Sequence, residues 1–278
     1  MPGSGAVHGI ARLSFIRDDG VSRLATLDQR APLRVLFPEP HDPGVPLAVL
    51  VTTSGGLVGG DMLDVAISAG PGAAALVTTQ AAEKVYRSEG PTCGIRVTLK
   101  AGPAAWLEWL PNETIVFDAA RLRRRMTASL AADARLLAGE IVVLGRLARG
   151  ERFTSGLIHD AWEIRRDGRL VWTDAFRLED DPVAAQASPA GLAGAPAFAT
   201  IVFAGAQAER LADPFADLAE RLTTGDLRIG TTRIGATLLA RLLGEDPRAL
   251  RGAFAELWAW LRCEAGGLAP RLPRLWSI

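Results

Sequence analysis

Apolar and polar residues alternate with a period of two along much of the first two-thirds of this chain. Leu63-Asp64-Val65-Ala66-Ile67 puts every second side chain on one apolar face, and Ile95-Arg96-Val97-Thr98-Leu99-Lys100 does the same, as half-buried strands require. Arg121 to Leu130 alternates more weakly. Trp106-Leu107-Glu108-Trp109-Leu110 and Ile141-Val142-Val143-Leu144 are short apolar runs near Gly or Pro, which suits strands buried more completely. Asp167-Gly168 sits between Trp162–Arg166 and Arg169–Thr173, and Asp19-Gly20 between Leu13–Ile16 and Val21–Leu27. Asp-Gly supplies the positive φ angles of a two-residue hairpin turn, so both sites predict hairpins. Gly70-Pro71-Gly72 and Gly102-Pro103 mark tight reversals. Many short strands at close spacing predict a large, mainly β assembly.

The pattern changes towards the C-terminus. Asp181 to Pro196 is rich in Ala, Pro, Gly and Ser and reads as an exposed loop, after which Phe198–Phe203 returns to strand. Asp213-Pro214 predicts a helix through Leu222, with Asp213 as N-cap and Pro214 in the first helical position. Asp246-Pro247 opens another, in which Leu250, Phe254, Leu257, Trp258 and Leu261 share one face. Trp258, Trp260 and Trp276 read as core or interface packing. The helices come too late for a βαβ array and are expected to flank the sheets. No internal repeat or heptad seam is legible.

Composition narrows the function classes. Of 278 residues, 49% are apolar and 22% charged, an ordinary globular balance. The 31 basic and 31 acidic residues cancel, so neither nucleic acid nor an anionic membrane is an expected partner. No apolar run approaches the roughly 20 residues that span a bilayer. The N-terminal stretch lacks the form of a signal peptide. Cys93 and Cys263 are the two cysteines, and with so few a cytoplasmic location is expected.

Standard catalytic chemistry finds little footing. Gly55-Gly56-Leu57-Val58-Gly59-Gly60-Asp61 invites a phosphate-binding reading. A P-loop, however, continues into Gly-Lys-Ser/Thr, and a dinucleotide fingerprint continues into a helix, whereas a strand pattern follows here. The loop reads instead as a tight, glycine-built turn. The three histidines are His8 in the N-terminal tail, His41 in a Pro-rich loop and His159, expected on a strand near the surface. No Gly-x-Ser-x-Gly elbow surrounds Ser54. Sparse His and Cys argue against a tight transition-metal site. Carboxylates remain: Asp61, Glu83, Glu140 and Asp174 stand in glycine or apolar context. A buried carboxylate is costly unless paired, hydrogen-bonded or wetted. These four either line a polar passage or pair with Lys84, Arg87 or Arg146.

Three motifs in order carry a family resemblance: Thr52 to Asp61, Thr78 to Ser88 and Glu108 to Asp118. Arg135 to Arg146, Gly150-Glu151-Arg152-Phe153 and the terminal Leu272-Pro273-Arg274-Leu275-Trp276 extend it over nearly the whole chain. Together they resemble the UreD (UreH) family of urease accessory proteins. The resemblance implies a single domain over 1–278, mainly β to about 205, with helices and a terminal strand segment after about 212. Its expected form is a β-helix-like stack of short strands with a small C-terminal helical part. The resemblance implies a role without catalysis of its own. The chain would bind a UreF-type helical partner, and the complex would recruit a UreG-type GTPase and dock on apo-urease to deliver nickel. No tightly bound cofactor is implied, only transient nickel(II) in an internal passage. By motif position Asp61, Glu83, Glu140 and Asp174 would line it. Gly59, Gly60, Lys84, Tyr86, Arg87, Arg146 and Glu151 lie in the same blocks. An adaptor that bridges urease and the accessory proteins without carrying metal is the alternative. Two positions depart from the pattern: Met62 stands where a second acid can follow the Gly-Gly-Asp, and Gly139 where a bulky aromatic is common.

Overall fold

Corners built from small residues turn the alternating segments into coils. The computed structural model describes residues 5–40 and 42–276; His41 lies outside them. At Gly70-Pro71 and Gly102-Pro103 the chain leaves one sheet and enters another, and the corners stack. Gly102 N–H donates to Ala69 O at 2.8 Å, and Ala131 N–H donates to Ala101 O at 2.9 Å. A Cβ on Gly102 would stand 3.1 Å from the Gly70 and Pro71 backbone, so the corner needs glycine to pack against the one before it.

The first sheet contains β1 (His8–Asp18), β2 (Val21–Arg30), β5 (Met62–Ala69), β8 (Cys93–Ala101), β11 (Arg121–Leu130), β13 (Leu157–Arg166) and β14 (Arg169–Leu178). Its order is β14-β13-β11-β8-β5-β1-β2. The strands from β13 to β1 run parallel and in register, and an antiparallel hairpin closes each end. Both hairpins turn at the expected Asp-Gly pairs, with φ of 47° and 78° at Asp19-Gly20 and 47° and 76° at Asp167-Gly168. The second sheet contains β3 (Leu33–Leu36), β4 (Leu47–Thr52), β6 (Ala74–Thr79), β9 (Trp106–Leu110), β12 (Arg135–Leu144), β15 (Ala197–Ala204), β16 (Leu227–Ile234) and β17 (Thr237–Gly244). Its order is β16-β17-β15-β12-β9-β6-β4-β3. Short strands β7 (Glu83–Val85) and β10 (Thr114–Val116) form a third side, where β10 joins the upper half of β12. The result is the expected β-helix-like stack, of about four turns.

This architecture revises one expectation. A repeat exists, although none is legible in the sequence: Ala69, Ala101 and Leu130 are register partners in successive coils. Stacking asks each coil for alternation and a small corner, not for the same side chains, so the period is structural rather than lexical.

The central strands of the second sheet are buried on both faces. Its inner face meets the first sheet through residues such as Val77, Leu107 and Val202. Its outer face packs Trp106, Ile141 and Phe203 against α2 (Ala208–Leu222) and α3 (Pro247–Gly266). Every residue of β9 and β15 is therefore buried, which explains their continuous apolar runs. Helix α3 begins as expected, with the Asp246 carboxylate accepting from Arg248 N–H at 2.9 Å, and its predicted face is buried. Helix α2 does not. It starts at Ala208, so Asp213 is no cap and Pro214 lies inside the helix. An interior proline costs about 3 kcal/mol; burial of Leu211, Phe215 and Ala219 carries the helix through it. The Asp181–Pro196 segment also departs from a plain loop: Pro182–Ala187 forms a short helix, α1, capped by Asp181.

Glu108, on the outer face of β9, anchors α3. It is fully buried and accepts from Trp106 Nε1 at 2.9 Å, Trp258 Nε1 at 3.0 Å and Arg262 Nε at 2.8 Å. Arg262 also donates to Asp42 at 2.8 Å and to the carbonyls of Ala269 and Arg271 at 2.8 and 2.9 Å.

Gly139 lies on the same outer face, where Phe254 from α3 fills the space an aromatic at 139 would take. A Cβ there would lie 2.6 Å from Phe254 Cζ and 3.0 Å from Thr200 O. Gly139→Ala is expected to destabilise the protein by about 1–3 kcal/mol, the usual range for overpacking, read as a lower Tm. Adding Phe254→Leu should cost less than the sum of the two single changes. Unchanged stability of Gly139→Ala would overturn this account.

Candidate functional site

Parallel, in-register coils place equivalent inward residues in columns. One column in the first sheet runs Leu63, Ile95, Arg124, Asp160. It changes from aliphatic to charged at β11, so a guanidinium enters the space between the sheets. Arg124 is 4% exposed. Its Nε and Nη2 donate to Asp160 at 3.1 and 2.5 Å, and its Nη1 donates to Thr114 Oγ1 at 2.9 Å. Glu140, from β12 opposite, meets Nη2 in an ion pair. Trp109 Nε1 donates to the other Glu140 oxygen at 3.4 Å. Asp160 and Glu140 outweigh the burial that would discharge Arg124, and raise its pKa. Burial also raises Glu140, opposed by Arg124 but reinforced by the Asp160 charge.

Polar groups continue from this cluster in both directions. Thr114 on β10 is the register partner of Glu83 on β7. Glu83 accepts from Thr52 Oγ1 at 2.5 Å, and burial raises its pKa against that bond and the charge of Lys84. Thr52, Glu83, Asn112, Thr114, Arg124 and Glu140 line one part of a cavity of about 50 Å³ whose remaining wall is largely apolar, Leu63, Val65 and Ile95 among it; the volume is enough for a few waters. At Thr52, Thr79 and Glu83 it adjoins a surface pocket of about 180 Å³ walled by Gly55, Gly56 and residues 80–84. In the other direction, Glu140 is the register partner of Thr200, and Thr200 of Arg241. Arg241 Nη1 donates to Thr200 Oγ1 at 3.1 Å, and Nη2 pairs with Asp174, which is about a third exposed. A file of polar groups thus crosses the apolar interior, from Thr52 and Glu83 to Arg241 and Asp174.

Three of the four carboxylates singled out in the sequence, Glu83, Glu140 and Asp174, lie on this file. Asp61 lies beside it. Its two oxygens accept from Val7 N–H and Val58 N–H, each at 2.9 Å, which closes the glycine loop. That loop packs on the second motif: a Cβ on Gly56 would meet Lys84 O at 2.7 Å, one on Gly59 would meet Pro91 O at 2.7 Å, and Tyr86 Oη donates to Gly55 O at 3.1 Å. Gly60 holds φ at 94°.

The ion-pair partners expected from sequence are replaced. Glu140 takes Arg124 and Asp174 takes Arg241, because stacking, not sequence proximity, decides who faces whom. Lys84 and Arg87 are exposed. Arg146 pairs with Glu151, Nε donating at 3.0 Å, and lies over the Phe117 ring. Glu113 holds Arg251 of α3 at 2.6 Å, and Asp118 accepts from Thr154 and Ser155 N–H at 2.7 and 3.0 Å, so both brace the fold. His8 opens β1 rather than lying in a free tail and contacts Asp64 at 2.5 Å; His159 is a half-buried strand residue. Arg124, Asp160, Arg241, Thr114 and Thr200 are the members that the sequence reading did not single out. Among the described residues, no three His, Cys, Asp or Glu side chains converge to hold a metal ion, and no helix is long and apolar enough to cross a membrane.

A family model described as UreD urease accessory protein matches residues 7–277. Over 278 residues, covering 99% of this chain and 96% of the relative, the chain is 46% identical to urease accessory protein UreD of Magnetococcus marinus. It is 46% identical over 244 residues to urease accessory protein UreD of Granulibacter bethesdensis, covering 87% and 99% of the two chains. Urease accessory protein UreD 2 of Methylorubrum populi is 40% identical over 274 residues, with 97% and 90% covered.

The raised pKa of Glu83 has a sign that can be checked. A carboxyl raised by folding stabilises below its ordinary value of 4.5, and that stability is lost as pH rises through the folded value. Glu83→Gln keeps an acceptor for Thr52 and carries no charge. It should therefore melt higher than the parent at pH 8, by at least about 1 °C, the shift that a few tenths of a kcal/mol produces in a chain of this size. The gap should close below pH 4.5. A lower Tm at pH 8 would show that the charged form stabilises the fold.

Proposed function

The chain belongs to the UreD family of urease accessory proteins, and we propose that it acts as scaffold and nickel conduit in the complex that matures the metallocentre of apo-urease. One observation carries this reading: a file of polar groups runs through an otherwise apolar β stack. Apolar side chains would pack that space at least as well, since buried ion pairs rarely outperform well-packed hydrophobic replacements.

Nickel is the cargo, and the chain's own residues set the terms of its passage. Glu83 at the pocket end, Glu140 and Asp160 in the middle and Asp174 at the far end offer oxygen ligands one or two at a time. Hard oxygen donors and water hold nickel(II) weakly compared with thiolate or imidazole cages, and a conduit must release what it admits. Asp61 shapes the pocket end by fixing the glycine loop that walls it. The chain supplies no catalytic step and keeps no resident cofactor. Its partners in this reading are a UreF-type accessory protein, a UreG-type GTPase reached through the complex, and apo-urease, all in the cytoplasm. A bridging adaptor with ions travelling outside it is the second reading; it requires the assembly surfaces but not the file.

Co-expression with urease and the other accessory proteins separates the two. Deleting this chain should leave urease without nickel. Asp174→Ala, at the half-exposed end, and Glu140→Trp, in the middle, should assemble normally by pull-down yet lower the nickel content and activity of urease, Glu140→Trp to near the deletion level. Normal maturation by both variants in intact complexes would overturn the conduit and leave the adaptor.

A further inference from the structure

A cation passage with an arginine across its centre poses an electrostatic problem. Arg124 sits in the middle of the file, buried, and carries the same sign as the cargo. Its surroundings suggest how the two can share the space. Two carboxylates flank one guanidinium, so the cluster bears one negative charge in excess when both are ionised. Asp160 is bound through two nitrogens, Nε and Nη2, whereas Glu140, only 4% exposed, meets Nη2 alone in an ion pair. The cavity lies on the Thr114 side of Arg124, and Glu83 and Asn112 share its lining. A guanidinium swinging into it would keep Thr114 Oγ1 within reach and approach the Glu83 carboxylate.

We propose that Glu140 and Asp160 form a latent divalent-cation site that Arg124 occupies at rest, and that nickel(II) passes by exchanging with the guanidinium. This rests on the conduit reading and deepens it by naming the site where the ion pauses and the group that expels it. In the exchange a divalent ion takes the place of a single positive charge between two negative ones. Arg124 moves aside with its charge and faces Thr114 and Glu83. When it returns, the ion is displaced. Arg124 thus keeps the carboxylate pair from becoming a trap, which a conduit must avoid. It is a positioning residue: the ion touches the carboxylates.

The test uses the assembled accessory complex loaded with nickel(II) chloride and then desalted. Arg124→Gln should retain about one nickel per copy and at least about tenfold more than the parent, a factor worth about 1.4 kcal/mol in affinity. Urease activation should fall with it, because the ion is held. Arg124→Gln/Asp160→Asn should return retention to the parent level. If Arg124→Gln does not assemble, Arg124→Lys serves: a single ammonium cannot reproduce the planar fork, and retention should again rise above the parent. Parent-level retention in an assembled Arg124→Gln complex, or in Arg124→Lys where that variant stands in, would overturn the exchange site. If activation still fell in that case, the conduit would stand without it. Raised retention with undiminished activation would support the site and overturn the conduit.

Discussion

In a stack of parallel, in-register coils, the inward neighbours of a residue are the same positions of the coils above and below it. A polar group inside such a stack takes its resting partners from its own column or from across the interior. Arg124 is where this constraint is felt most. Ile95 precedes it in the column, Asp160 follows it, and Glu140 faces it from the other sheet. Removing one member of a buried cluster of this kind costs about 3–5 kcal/mol because the remaining charges are stranded, whereas replacing all of it by apolar groups costs little. The cluster is therefore constrained as a unit.

A second buried arginine makes the comparison concrete. Arg262 is as deeply enclosed as Arg124, and like those of Arg124 its Nε, Nη1 and Nη2 all donate: to Glu108, to the Ala269 and Arg271 carbonyls and to Asp42. It ties α3, the C-terminal segment, the loop at Asp42 and β9 into one body, with no adjacent acceptor left wanting. The Arg124 cluster meets Glu140 through Nη2 alone and has a cavity of about 50 Å³ at its side. The same side-chain chemistry thus closes one core and borders a cavity in the other.

Much of the fold was legible because it depends on local rules. Asp-Gly pairs fixed both hairpins, Asp246-Pro247 fixed the start of α3, and period-two runs located β5 and β8. The start of α2 was not legible, because burial of Leu211 and Phe215 outweighed the strong Asp-Pro signal inside it. The carboxylates Glu83, Glu140 and Asp174 could be picked out by their apolar context. Their partners could not, since Arg124 and Glu140 lie in different sheets, as do Arg241 and Asp174. One signal was present but unread. Arg121 to Leu130 alternates weakly because Arg124 occupies an inward position between Leu122 and Met126. What looks like a blemish in a strand pattern is the polar file crossing that strand.

The direction of the file follows from the same stacking. Glu83, Thr114, Glu140, Thr200 and Arg241 belong to β7, β10, β12, β15 and β17, so a line through them visits neighbouring strands in turn. It runs across the strands, along the direction in which the coils are stacked. Backbone hydrogen bonds within the sheets already point along that direction and need no help from side chains, so polar residues can be introduced column by column without breaking the ladder. The apolar corners and the second core beneath α2 and α3 bear the burden of stability, and the interior row is left free to be polar. A stack of coils is in this sense suited to a conduit: its register aligns side chains along the axis, and the packing that holds it together lies elsewhere.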